Sequence, residues 1–380
     1  MTFRQYSIVA ILLFSITVVG QTAAPTAPSK AHSSAKPAAA PVSGGPYPVM
    51  SSAAENRGRQ LFGMWDNGQA GALWATFSEG MKKNVKSEAA FDAYAKKLRE
   101  GMGKETKLLQ ETILPQMLAP FTEYSRLSEY SKANVRVVTT ILIDEHGQSQ
   151  AFLVAPEPNL PEGRHAGYQD TAKLRLPFNG EWFVLQGGHS AFENVYMRSE
   201  EGRFSVDFAL LKNSRSYAGS PESNESFYCF GQPVLAPADG TVVRLESGFS
   251  DNPPGTRTQD SPRGNFITIS HGNKEFSTFD HLKQNSIPVK QGATVKQGDV
   301  IGACGNSGSS PAPHVHFQLQ NSAGLPPPEP LAAQFHDYTA DGKPVEVGEP
   351  AKGQTIGNAP MTTSNTPAAK DQPTTEPVKK

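Results

Sequence analysis

His314 and His316 stand two residues apart in the run HVHFQLQ, in which apolar and polar residues alternate. Successive side chains on a β-strand point to opposite faces, so both imidazoles project to one side. Two imidazoles on one face are the beginning of a metal site, because Zn²⁺ takes histidine nitrogen at about 2.0–2.1 Å. The pair alone is a weak signal, and two further residues strengthen it. His281 closes a strand pattern in FDHL, and Asp207 lies within RFSVDFAL, an acidic group in an apolar strand. Burial of such a carboxylate is tolerable only with a partner. The plain alternative for Asp207 is a strand-end carboxylate bonded to backbone amides. Cys229 and Cys304 are the only cysteines. They either pair as a disulfide or lie buried as small hydrophobes, and two thiols alone do not make a structural zinc site.

These residues need strands to position them, and residues 165–338 supply a pattern of short strands punctuated by Gly and Pro, the signature of an all-β domain. QPVLAPADGTVVRLE (232–246) reads as strand, Asp239-Gly240 turn, strand. GNFITISHGNKEFSTFDHL (264–282) repeats the plan around His271-Gly272-Asn273, and VKQGATVKQGDVIGA (289–303) adds short strands around Gly292 and Gly298. Trp182 and Phe183 read as core, and His336 and Asp337 as solvated. Residues 50–158 form a different block. Apolar residues at helical spacing occupy 53–65 and 70–78, and Ser87 starts a helix carrying Phe91, Tyr94, Leu98 and Met102 that Gly103 can end. Alternation then takes over in Val135–Ile143 and Ala151–Val154 around Glu145-His146-Gly147, giving a small α+β domain that resembles the helix-then-curved-sheet domains of the cystatin-like class. Trp65, Trp74 and Phe77 read as its core, and His146 as a solvated turn residue.

The ends have another composition. Arg4 followed by the apolar run Ile8–Val19 reads as a signal peptide over 1–20, too short to span a bilayer. Residues 21–48 form an Ala/Pro/Ser-rich linker, and 342–380 read as a disordered tail. Hydrophobic content of 37% is below the globular norm of about 45–50%, a norm that also counts Gly, and the shortfall fits unfolded ends. The expected location is therefore outside the cytoplasm, periplasmic or extracellular, with no stable membrane insertion once the leader is removed. Lys and Arg number 35 against 36 Asp and Glu, a net charge of −1, which argues against nucleic acid as a partner.

The runs APADGTVV, GNFITISHG, FDHL, IPVKQGATVKQGDVIGACGNSG and PHVHFQL, in that order, resemble the lysostaphin/LytM-type zinc metallopeptidases over about residues 180–320. The resemblance implies an antiparallel, half-barrel-like sheet core and hydrolysis of peptide bonds in bacterial peptidoglycan. It implies one Zn²⁺ ion held by Asp207 and His316. It also implies that His281 and His314 orient or deprotonate the attacking water and stabilise the oxyanion. One position departs from the family pattern. The usual first ligand is a His four residues before the Asp, and here it is Arg203. Arginine stays protonated and offers no lone pair. The nearest upstream imidazole is His189, which becomes the expected third ligand, with Glu193, Asn194 and Tyr196 as poorer substitutes. Without a third ligand the protein would be a degenerate module that binds peptidoglycan or activates another cell-wall hydrolase. A first block lying over the groove would restrain activity until displaced. The biotinyl/lipoyl half-barrel also shares the APADGTVV and VKQGDVIG runs, but the chain lacks its attachment lysine at a hairpin tip and that reading gives His-x-His no role.

Overall fold

The computed structural model describes residues 52–359 apart from residue 325. The expected signal peptide, the Ala/Pro/Ser linker and the part of the expected tail beyond 359 lie outside the described residues.

The described chain begins with four helices, α1 (Ser52–Asp66), α2 (Ala70–Ala75), α3 (Glu79–Val85) and α4 (Glu88–Met102). Ser78 and Ser87 cap the last two, accepting hydrogen bonds from the amides of Met81 and Ala90. Four strands follow, β1 (Glu105–Pro115), β2 (Thr122–Tyr130), β3 (Val137–Ile143) and β4 (Ser149–Pro156), and pair antiparallel in sequence order. β3 follows the alternation read from the sequence, whereas β4 is half-buried along most of its length. β1 gave no such signal, because ETKLLQETILP is mostly half-exposed and polar residues break its alternation. Leu61, Trp65, Phe77, Phe91, Tyr124 and Ile141 fill the space between helices and sheet.

Thirteen strands make up the rest: β5 (Glu181–Gln186), β6 (Val206–Ala209), β7 (Pro233–Leu235), β8 (Gly240–Glu246), β9 (Asn265–Gly272), β10 (Glu275–Leu282), β11 (Thr294–Val295), β12 (Val300–Ala303), β13 (Val315–Gln320), β14 (Pro330–Leu331), β15 (Phe335–Ala340), β16 (Lys343–Gly348) and β17 (Thr355–Asn358). Ten of them run in the order β11-β8-β9-β10-β13-β6-β5-β17-β15-β16, with β14 beside β13, while β12 and β7 form a separate pair. Every strand pairing is antiparallel, as the sequence reading required. The β9–β10 hairpin turns through Asn273 and Lys274 with φ of 48° and 60°, the left-handed pair that matches strand twist in a two-residue turn.

Two expectations are corrected. Asp239-Gly240 does separate two strands, but they are not a hairpin: β7 pairs with β12, and β8 with β9 and β11. The local turn signal is genuine; the partners are chosen by longer-range burial. Residues 343–358 of the expected disordered tail form β16 and β17, and β17 lies inside the sheet between β5 and β15. Its TIGN has one large apolar residue, too little for a strand signal. That residue, Ile356, is fully buried opposite Trp182 and Ala340. Asn358 reinforces the docking through hydrogen bonds to the backbone of Leu176 and Phe178.

Period-2 alternation divides the sheet into two faces. Phe208, Phe279, Val315, Phe317 and Leu319 point into the main core, where Phe317 meets Phe279 and Phe335 at 5.2 Å between ring centroids. Burial of each such side chain contributes roughly 1.5–3 kcal/mol. Asp207, Asp280 and His316, one residue out of step with those apolar neighbours, therefore emerge on the opposite face. The loop between β1 and β2 also reaches this part of the chain. Met117 and Leu118 pack on Tyr217, Phe227 and Ala312, and Ser216 Oγ donates to the Met117 carbonyl at 3.1 Å.

Candidate functional site

Strand register builds the site. His316 on β13 is directly opposite Asp207 on β6 and Asp280 on β10, so the three residues form a row across adjacent strands. His316 Nδ1 lies 2.8 Å from Asp207 Oδ1. His314 sits just before β13, with its Nε2 3.8 Å from the same carboxylate oxygen. His281 enters from β10 through an irregularity: the β9–β10 register shifts between Phe279 and Leu282, and His281 has φ of 65°. A bulge of this kind re-aims a side chain. Its ring centroid comes to 5.1 Å from that of His314 and 5.7 Å from that of His316. All four residues are buried.

Backbone carbonyls fix the tautomers of two imidazoles. The Ser307 carbonyl accepts from His281 Nδ1 at 2.9 Å, and the Ala312 carbonyl from His314 Nδ1 at 2.8 Å. A carbonyl only accepts, so Nδ1 carries the hydrogen in each ring, and a neutral ring leaves Nε2 with its lone pair. The Ser307 loop gets close enough because Gly264 faces it: a Cβ there would meet Ser307 atoms at 2.5 Å, and its φ of 60° is in the glycine-favouring region. Burial, then the neighbouring His314 and His316, hold His281 down at about 3. Burial alone would raise Asp207, but His314 and the His316 hydrogen bond outweigh it and leave the carboxylate below its ordinary range. For His316 burial pulls downward, and the Asp207 partner outweighs it to raise the imidazole. Asp280 is committed elsewhere. The Arg263 guanidinium holds both its oxygens, with contacts of 2.7–3.0 Å, and keeps it ionised against the burial that would raise it.

The expected third ligand is not here. His189 Nε2 bonds the Glu349 carboxylate, its ring rests 4.9 Å from that of Phe204, and Glu349, before burial, raises its pKa. It sits in a Gly-rich loop after β5, which carries it to the β16–β17 connection; proximity in sequence gave no such information. Arg203 is buried and donates to the Pro161 carbonyl. Among the described residues no group of three or more His, Cys, Asp or Glu is arranged to hold a metal ion. The residue that does share Asp207 is Tyr196. Its hydroxyl donates to Asp207 Oδ2 at 2.9 Å, and its ring meets that of His316 edge-on at 5.0 Å. The sequence offered it only as a poorer substitute for His189, beside Glu193 and Asn194. The usable signal was the preceding Asn194, a residue type that caps the start of a short helix.

Two donors suit zinc. Ligands about 2.0–2.1 Å from a tetrahedral ion are about 3.3 Å apart, close to the 2.8 Å now bridged by a proton between His316 and Asp207. Cys229 and Cys304 are buried and unpaired, and Cys229 Sγ donates to the Pro313 carbonyl at 3.1 Å, beside His314.

The profile of peptidase family M23 matches residues 226–327. That stretch contains His281, His314 and His316; Asp207, Arg203 and Tyr196 precede it. An uncharacterized metalloprotease of Haemophilus influenzae is 35% identical over 89 residues, 23% of this chain and 16% of the relative. Peptidoglycan DD-endopeptidase ShyA of Vibrio cholerae is 36% identical over 90 residues, 23% of this chain and 17% of the relative. The chain thus spans about one sixth of the length of these curated relatives. Among solved structures, the lysostaphin catalytic domain from Staphylococcus simulans aligns at 24% identity over 40% of this chain and 88% of that one, with a TM-score of 0.23. Among the described residues no helix is long and apolar enough to cross a membrane.

Proposed function

We propose that this chain, which carries a peptidase family M23 domain at residues 226–327, is an exported metal-dependent endopeptidase that cuts peptide bonds of bacterial peptidoglycan. The observation that carries this reading is the convergence of His281, His314, His316 and Asp207 from three different strands and a loop onto one buried point. Asp207 and His316 would hold zinc, and the ion would supply Lewis acidity toward a peptide carbonyl and toward water. His281 and His314 are the proton carriers. With Nδ1–H fixed on carbonyls, each offers Nε2 to accept a proton from water or, once protonated, to donate to the departing amine or a developing oxyanion. The substrate class rests on the likeness to a peptidoglycan DD-endopeptidase, and export on the leader-like residues 1–20.

One observation favours a second reading, a module that binds peptidoglycan or activates another hydrolase without cutting: Arg203 is turned to Pro161 and His189 to Glu349. Zinc content and release of soluble peptides from purified peptidoglycan decide between them. The enzyme should bind one zinc and release peptides, and His316→Ala should reduce both to background. A native chain that releases nothing while still binding peptidoglycan establishes the second reading.

A further inference from the structure

Building on the metal-dependent reading, we propose that Tyr196 is the third protein donor of the zinc site, beside Asp207 and His316. The phenol and the His316 imidazole divide one carboxylate between them: Tyr196 Oη is 2.9 Å from Oδ2 and His316 Nδ1 is 2.8 Å from Oδ1. The edge-on contact of the two rings keeps both heteroatoms on the Asp207 side. A phenolate is an anionic oxygen donor, and zinc accepts oxygen as well as nitrogen.

The position of Tyr196 is constructed by other residues. Val195–Arg198 is a single turn of 3₁₀ helix, and the fully buried Asn194 ties its start to the strand bearing Asp207. Asn194 Oδ1 accepts from the Tyr196 amide at 3.0 Å, while its Nδ2 donates to the carbonyls of Ser205 at 2.9 Å and Gly188 at 3.2 Å. Gln186 Oε1 adds a bond to the Val195 amide. Buried polar side chains that fix a backbone in this way are expected where a side chain must be held to a fraction of an ångström. Arg203 and His189 are turned away as described, Asp280 is held by Arg263, and Glu193 by Ser190 and Gln110, while the free Nε2 atoms of His281 and His314 are the ones assigned to proton transfer. On zinc entry the Tyr196 proton would leave to solvent and the His316 proton would move from Nδ1 to Nε2. Two anionic donors would neutralise the ion, where the usual His, Asp and His leave one positive charge.

The experiment uses the full chain and zinc itself. Zinc affinity is measured by competition with a chromophoric chelator for the native protein, Tyr196→Phe, Tyr196→His and His316→Ala, together with the near-ultraviolet difference spectrum on adding zinc. Tyr196→Phe keeps the ring and its packing, so it isolates the oxygen. The expected results are a phenolate difference band in the native protein, and a loss of affinity in Tyr196→Phe beyond the roughly 10–100-fold that a merely supporting residue costs. Tyr196→His should retain tight binding without the band. Native-like zinc affinity in Tyr196→Phe overturns the inference and leaves the metal-dependent reading standing, provided His316→Ala loses zinc. A native chain with no zinc at this site, or with affinity unaffected by His316→Ala, overturns both. Zinc bound by Tyr196→His but not by the native chain identifies tyrosine as the residue that disables the site, which also overturns the inference.

Discussion

His281 occupies a backbone conformation that side chains with a Cβ rarely adopt, with φ of 65°. Such conformations cost of order 1–2 kcal/mol and persist where the surroundings impose them; here the bulge after Phe279 brings the imidazole to the Ser307 carbonyl. His281→Ala and His281→Gly both remove the imidazole, but only glycine relieves the backbone. His281→Gly should therefore be the more stable by about 1 kcal/mol in denaturant unfolding, while both should lose peptide-bond cleavage; equal stabilities would show that the backbone is unstrained. At this scale residue type and strand period place Asp207 and His316 opposite each other, whereas His281 arrives through a bulge and His314 from the residue before β13, neither of which the period specifies. His189 misled because loop residues go where the chain leads them, and Glu349, 160 positions away, is what it meets. Tyr196 was hidden because its significance depends on a buried asparagine and a single helical turn, neither of which leaves a periodic trace.

The β1–β2 hairpin of the first block packs beside the segment that carries Ala312 and His314. Its tip buries Met117 and Leu118 against Tyr217, Phe227 and Ala312, and the Ala312 carbonyl is the one that orients His314. A peptide entering along this rim would have to displace the tip or pass beside it. Paired substitutions Met117→Asp and Leu118→Asp, which weaken apolar contacts of roughly 1–3 kcal/mol, should raise the rate of peptide release from peptidoglycan several-fold without changing zinc content. An unchanged rate would assign the tip a purely structural role. α1, α2, α4 with its cap at Ser87, and alternation in β3 were readable, whereas α3 and its cap Ser78 were not, because 70–78 reads as one helical run. Nor were β1 and β2: β1 is largely half-exposed, and β2 buries polar residues such as Ser125 and Ser128 beside apolar ones, so neither shows the contrast on which such reading depends.

Across the whole molecule, the sheet is completed by residues that composition alone assigned to a tail. Truncation after residue 342 would remove β16 and β17, expose the edges of β5 and β15, and forfeit the burial of Ile356 with the Asn358 hydrogen bonds. It should cost at least about 4 kcal/mol, read as a lower denaturant midpoint; an unchanged midpoint would mean that β17 is dispensable. The pairing of β17 with β5 has a further consequence, in time rather than in space. Asn358 bonds a residue 182 positions earlier, and Asp207 meets His316 across 109. Contacts of such sequence separation form late and slowly, because loop closure precedes any gain from them. Neither Asp207 nor His316 has its partner in an unfolded chain, so the candidate centre comes into being only when segments 109 positions apart have paired.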